Sequence, residues 1–189
     1  MITKINAYGL TGNMGCGKST VAEFLQKHNN VRVLDCDQIS KEILFDPKNK
    51  SKIEKILETK ISEAKIIFND PIKKQKLEKF IHPLVWQEVQ RQIENGPKDV
   101  IYIVESALIF ETKMENSFKK IILVTCSKKE QFERIKKRNN WSDKEIEERL
   151  NNQLPDKEKI NKSWVTINTD CSVEELKSKV EEIYSLIIF

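Results

Sequence analysis

The chain has 189 residues, 39% hydrophobic and 33% charged, and a net charge of +4 from 33 Lys and Arg against 29 Asp and Glu. That length fits one domain with small inserted lobes, and the composition excludes a disordered or bilayer-embedded chain, since no apolar run approaches the roughly 18 residues a span needs. Four scattered cysteines without a C-x-x-C pair, and only two histidines, leave little material for a zinc site, disulfides or a histidine-based triad. The mildly basic charge suits anionic small molecules as readily as nucleic acid. Met1 to Asn6 has no apolar core of signal-peptide length, so a cytoplasmic protein is expected.

In chain order, Lys4 to Leu10 reads as a short buried strand and Ser19 to Lys27 as its helix, with Val21, Phe24 and Leu25 on one face. Between them Gly12-Asn13-Met14-Gly15-Cys16-Gly17-Lys18-Ser19 completes the pattern G-x-x-x-x-G-K-[ST]. Backbone N–H groups of such a loop converge on phosphate oxygens, and glycines let the main chain come close. Lys18 would reach the outer phosphates and Ser19 would ligate magnesium, with the positive end of the helix aimed at the anion.

Val31 to Leu34 reads as a second strand ending at Asp35-Cys36-Asp37, the end at which open α/β sheets gather ligands. Asp35 either caps the helix beginning near Gln38 or joins the site; Asp37 is placed to orient an acceptor hydroxyl. From Asp46-Pro47 to Gly96-Pro97 the β/α alternation stops, and helical spacing predicts an inserted helical lobe over about 47–97. Leu77, Phe80 and Ile81 make one apolar face, and Leu84, Val85, Val89 and Ile93 make another. Pro83 therefore predicts two helices meeting at His82-Pro83. His82 there is either a structural hydrogen-bond donor or a catalyst.

Val100 to Val104 is a β-branched run of the kind buried on both faces of a parallel sheet. Glu105 at its tip either holds magnesium or pairs with a nearby base. Lys120 to Thr125 supplies a fourth strand, and Ser127 caps a helix carrying Arg134 and Arg138 four residues apart, so that both can point the same way. The rest of the basic run Lys128 to Arg138 reads as a solvated face, because acidic residues are interleaved and no aromatic platform for nucleic acid accompanies it. Asn139 to Ser142 is a loop, and Asp143 to Leu154 reads as a helix with Ile146, Leu150 and Leu154 on one face. This predicts a helical lid over about 139–154 carrying Arg149. Trp164 to Asn168 makes a fifth strand and Ser172 to Ile187 a final amphipathic helix.

Together these residues resemble the dephospho-coenzyme A kinase family over nearly the whole chain. Leu10 to Ala22 looks like its first motif, Leu34-Asp35-Cys36-Asp37 its hydrophobic-D-x-D, and Phe80-Ile81-His82-Pro83 its hydrophobic-HP junction. Glu105 to Glu111 resembles its P-L-L-F-E segment, Arg134 with Arg138 and Arg149 with Gln153 its lid pattern, and Ile167 to Leu176 its last strand–turn–helix. The chain departs from the family at Ala107 (proline there), at Cys171 (glycine there), and in the lobe around Ile61 to Phe68. That lobe lacks the family's arginine and has Lys60 and Lys65 nearby.

The resemblance implies a P-loop kinase-like three-layer α/β/α fold with a five-stranded parallel sheet. It implies transfer of the ATP γ-phosphoryl group to the ribose 3′-hydroxyl of dephospho-coenzyme A, without nucleic-acid or membrane partners. ATP would be held by Gly12, Asn13, Met14, Gly15, Cys16, Gly17, Lys18, Ser19 and Thr20 with Arg138 and Thr169. Lys18, Asp37 and Arg138 would be catalytic; Asp37, His82 and Glu105 would meet the acceptor; Ser19 and Glu105 would meet magnesium. Another small P-loop kinase is the alternative, and a GTPase switch is disfavoured because Asn161-Lys162 runs into Ser163-Trp164 rather than completing N-K-x-D.

Overall fold

The computed structural model describes residues 6–58 and 70–188, so Lys4, Ile5 and the stretch Ile61 to Phe68 with Lys60 and Lys65 lie outside the described residues. Five strands appear where the apolar runs predict them: β1 (Ala7–Thr11), β2 (Val31–Asp35), β3 (Ile101–Glu105), β4 (Ile121–Thr125) and β5 (Val165–Asn168). They form one sheet in the order β2-β3-β1-β4-β5, and the β1–β3, β1–β4 and β4–β5 pairings are parallel. All five residues of β4 are buried, as are the last four of β3. This is the burial expected of central strands covered on both faces in a three-layer α/β/α fold.

The chain divides into two compact units, one formed by 1–34 with 97–189 and the other by 35–96. In the first, α1 (Lys18–Leu25) and α8 (Val173–Ile188) pack together and α1 also meets β1 and β3. Leu10, Val21, Leu25, Ile103, Ile122, Val180 and Ile183 form their shared core. Of the core-facing stripe expected on α8, Leu176, Val180, Ile183 and Ile187 are buried, whereas Val173, in its first turn, is exposed.

The same unit carries α5 (Lys128–Asn139), α6 (Asp143–Leu150) and α7 (Asp156–Ile160). Ser127 caps α5 through the Glu130 N–H, and Ser142 with Glu145 closes a capping box on α6. The single helix expected over 143–154 is interrupted. It ends at Leu150, and Pro155 opens α7 after a turn, because proline's fixed φ and missing N–H cannot continue an incoming helix.

Among its described residues the second unit holds α2 (Cys36–Phe45), α3 (Pro47–Leu57) and α4 (Pro71–Asn95), each packed on the other two. Asp35, Asp46 and Asp70 cap them in turn. Ile53 and Leu57 form a buried pair surrounded by Leu44, Ile56, Leu77 and Phe80. The expected break at His82-Pro83 does not occur: α4 runs through Pro83 without stopping. An interior proline costs about 3 kcal/mol. Here Ile81, Val85, Val89 and Ile93 make one buried stripe at four-residue spacing across it, which rewards continuity. Pro83 lies on the exposed side, where water can take the carbonyl that loses its partner.

Candidate functional site

The phosphate-loop pattern spans the turn from β1 to α1. Its three glycines all have positive φ, 149° at Gly12, 82° at Gly15 and 89° at Gly17. At Gly12 the requirement is absolute in space as well as in angle, since a Cβ there would lie 2.1 Å from the Val124 carbonyl oxygen. No acidic residue of α1 itself occupies its first turn, which leaves the positive end of the helix suited to an anion.

Side chains from distant parts of the chain pull the loop's carbonyls outward. Gln131 Nε2 donates to the Met14 carbonyl (2.7 Å), Thr169 Oγ1 to that of Cys16 (2.9 Å), and the Cys126 thiol approaches that of Gly15 at 3.9 Å. In a trans peptide the next residue's N–H points opposite to the carbonyl. With the Met14 and Cys16 carbonyls held by Gln131 and Thr169, the Gly15 and Gly17 N–H groups therefore turn away from those partners, as donors to an oxyanion would. Lys18 Nζ donates to the Asn13 carbonyl at 3.4 Å.

Ser19 and Glu105, predicted from two separate strand ends, come together: Ser19 Oγ donates to Glu105 Oε1 at 2.9 Å. Parallel pairing of β1 with β3 sets Leu10 opposite Glu105, which delivers the carboxylate to the loop's end. Two hard oxygens at the foot of a phosphate cradle fit magnesium, which takes one or two protein oxygens and completes its shell with phosphate and water. Among the described residues no cluster of three or more His, Cys, Asp and Glu side chains could hold a metal.

Thr169 is buried and ties the loop to α5, accepting from Arg134 Nη1 at 2.7 Å while its carbonyl accepts from Nη2 at 3.0 Å. Arg138 lies one turn further along α5. It is exposed and its Nε donates to Asn139 Oδ1 at 2.8 Å. Arg149 lies with its guanidinium 4.0 Å from the centre of the Trp141 ring. Thr20, the last residue assigned to the loop, lies half-buried in the first turn of α1.

Burial pushes the Cys16 thiol above its usual range, against the pull of Lys18, and pushes Cys126 up to about 12. Neither is a ready thiolate.

In the helical unit, Asp35 is the cap, accepting from the Asp37 N–H (2.8 Å) and the Gln38 N–H (3.3 Å). That leaves the Asp37 carboxylate exposed in the first turn of α2. His82 is half-buried on α4, and burial lowers its imidazolium pKa below 6.5 against the raising influence of Glu78.

Sequence reasoning missed a group beside the loop. Lys159 on α7 is fully buried, and Asn13, Glu111, Gln153 and Asp156 gather around it and the loop. Burial raises the Asp156 carboxyl pKa, partly offset by Lys159. Glu111 and Gln153 stand at motif positions, but Lys159 sits in a charged run indistinguishable in sequence from a solvated face.

Parallel sheet, phosphate loop and paired Ser19–Glu105 oxygens define the class, a P-loop phosphotransferase. A crystal structure of a Thermus thermophilus protein shares the fold at a TM-score of 0.81, with 24% identity over 97% of this chain and 98% of that one. More narrowly, the chain belongs to the dephospho-CoA kinase family, whose model matches residues 7–175. It is 31% identical over 192 residues to the dephospho-CoA kinase of Bdellovibrio bacteriovorus, covering 93% of this chain and 92% of that one. The dephospho-CoA kinase from Campylobacter jejuni is 25% identical, with a TM-score of 0.65 over 96% of this chain and 97% of that one. The family catalyses the final step of coenzyme A biosynthesis, the ATP-dependent phosphorylation of dephospho-CoA.

Proposed function

We propose that this chain transfers the γ-phosphoryl group of ATP to the ribose 3′-hydroxyl of dephospho-coenzyme A in the cytoplasm, releasing ADP and coenzyme A. The observation that carries the reading is the Ser19–Glu105 pair at the foot of a loop whose Met14 and Cys16 carbonyls are held by Gln131 and Thr169. Phosphoryl transfer asks mainly for positioning and charge neutralisation. Residues 12–20 with Thr169 hold the nucleotide, and Lys18 and Arg138 answer the charge on the transferred group. Magnesium bound by Ser19 and Glu105 would neutralise phosphate oxygens. Asp37 orients the acceptor hydroxyl or takes its proton, Glu105 also faces the acceptor, and His82 with the lobe over about 47–97 grips it. The segment over about 139–154 closes as a lid that excludes water.

The test is ADP release from ATP with dephospho-coenzyme A as acceptor, set against AMP, CMP, shikimate and gluconate. Turnover with dephospho-coenzyme A alone supports the assignment; no turnover with it overturns it.

A further inference from the structure

Lys159 has 0% exposure, yet each of its three ammonium donors has an acceptor: Asn13 Oδ1 at 2.8 Å, Glu111 Oε1 at 2.8 Å and the Ala107 carbonyl at 3.3 Å. Asn13 is the second residue of the phosphate loop, and its side chain is wholly committed to the scaffold. Its Oδ1 accepts a hydrogen bond from Lys159 Nζ, and its Nδ2 donates to Asp156 Oδ1 (2.9 Å) and the Leu154 carbonyl (3.3 Å). Next along the loop, the Met14 N–H donates to Gln153 Oε1 at 2.9 Å, and the Leu154 N–H donates to the same Glu111 oxygen that Lys159 holds. The segment 153–159 thus grips the leading half of the loop through side chain and backbone alike.

A buried ion pair is a poor way to gain stability, because desolvation offsets the attraction and an apolar pair of the same volume does as well. Here the compensation is also incomplete: Glu111 Oε2 is buried without a hydrogen-bond partner among the described residues. What the pair does provide is direction. A lysine fixed on three acceptors can hold an asparagine amide in one orientation, and a glycine-rich loop has little of its own to hold it. Because Glu111 cancels its charge, Lys159 acts on the loop by position and not as a second phosphate-binding cation.

We propose that Lys159, locked by Glu111, is a positioning residue that holds Asn13 and Met14 so that the rest of the phosphate loop is preformed for nucleotide. The proposal rests on the chain binding nucleotide at that loop, and it is silent on the acceptor.

The test measures ADP binding by titration calorimetry, KM for ATP and for dephospho-coenzyme A, and thermal unfolding. Lys159→Met alone strands the Glu111 carboxylate and lowers stability. The double variant Lys159→Met/Glu111→Gln removes both charges and is expected to unfold near the parent temperature. Its ADP affinity and its kcat/KM for ATP are expected to fall about tenfold or more, as for a misplaced binding group, with KM for dephospho-coenzyme A within about twofold. Parent-like stability together with parent-like ADP affinity in the double variant overturns the proposal.

Asn13→Ala leaves the Lys159–Glu111 pair intact and removes the Asn13 side-chain bonds to Lys159, Asp156 and the Leu154 carbonyl. It is expected to weaken ADP about as much, and unchanged affinity there overturns the proposal even if the double variant does not fold. ADP binding by the parent without turnover of dephospho-coenzyme A would count against the acceptor assignment alone.

Discussion

Substituting Gly12 by alanine tests the loop's construction most directly. At φ 149° a non-glycine residue costs about 1–3 kcal/mol of backbone strain. The new methyl would also lie 2.1 Å from the Val124 carbonyl oxygen and 2.7 Å from Cys16 Sγ. Val124 lies in β4, paired on both sides by β1 and β5, so its carbonyl has no room to yield, and overpacking of that kind adds about 1–3 kcal/mol. The sum is about 4 kcal/mol, which for a chain of 189 residues lowers Tm by about 8–16 °C. Gly17→Ala is the control. Its φ is 89°, but a Cβ there meets nothing closer than 3.4 Å, so only the left-handed strain of about 1–2 kcal/mol applies. Urea unfolding followed by the fluorescence of Trp141 and Trp164, which both lie in the sheet-bearing unit, ranks the two. Equal losses, or a Gly12→Ala loss below about 1 kcal/mol, would refute the steric reasoning.

Other consequences are as direct. Asp37→Asn is expected to lower kcat by about a hundredfold while leaving ATP affinity nearly unchanged, and an undiminished kcat reduces Asp37 to a first-turn surface charge. Because burial keeps Cys16 and Cys126 protonated at pH 8, Ellman's reagent should leave both unmodified in the native protein and label them only on unfolding. Prompt labelling of Cys16, read by peptide mass, contradicts this. For His82, the folded pKa lies below its ordinary 6.5, so the unfolded state binds more protons as pH falls through that value and stability drops. His82→Asn should flatten this part of the profile below pH 6.5, and superimposable urea midpoints across that range would remove His82 from the account.

How much of this was legible in the sequence depended on how local the cause is. β3 and β4 are short, largely β-branched runs whose burial follows from composition, and the loop glycines announce their own geometry. Ser19 and Glu105 were legible as candidates, but their meeting depends on β1 pairing with β3, which no local pattern encodes. Pro83 misled because a local penalty was weighed without the apolar stripe from Ile81 to Ile93 that outweighs it. Leu154 misled in the other direction. Its apolar side chain fits the helical period, but its backbone serves Glu111 and Asn13 instead. Lys159 was invisible because a lysine is read as solvated unless its partners are known, and those partners lie 146 residues away at Asn13 and in the segment after β3.

The outward anchors of the phosphate loop bear on the order in which the protein is made. Gly15, Met14 and Cys16 are held by Cys126, Gln131, Gln153 and Thr169, at sequence separations of 111, 117, 139 and 153 residues. The motif leaves the ribosome more than a hundred residues before each of these four groups. Contacts of such long range form late, so a nascent chain that already carries the complete motif has no formed nucleotide site. Nucleotide therefore stabilises only the finished molecule and cannot template its early folding.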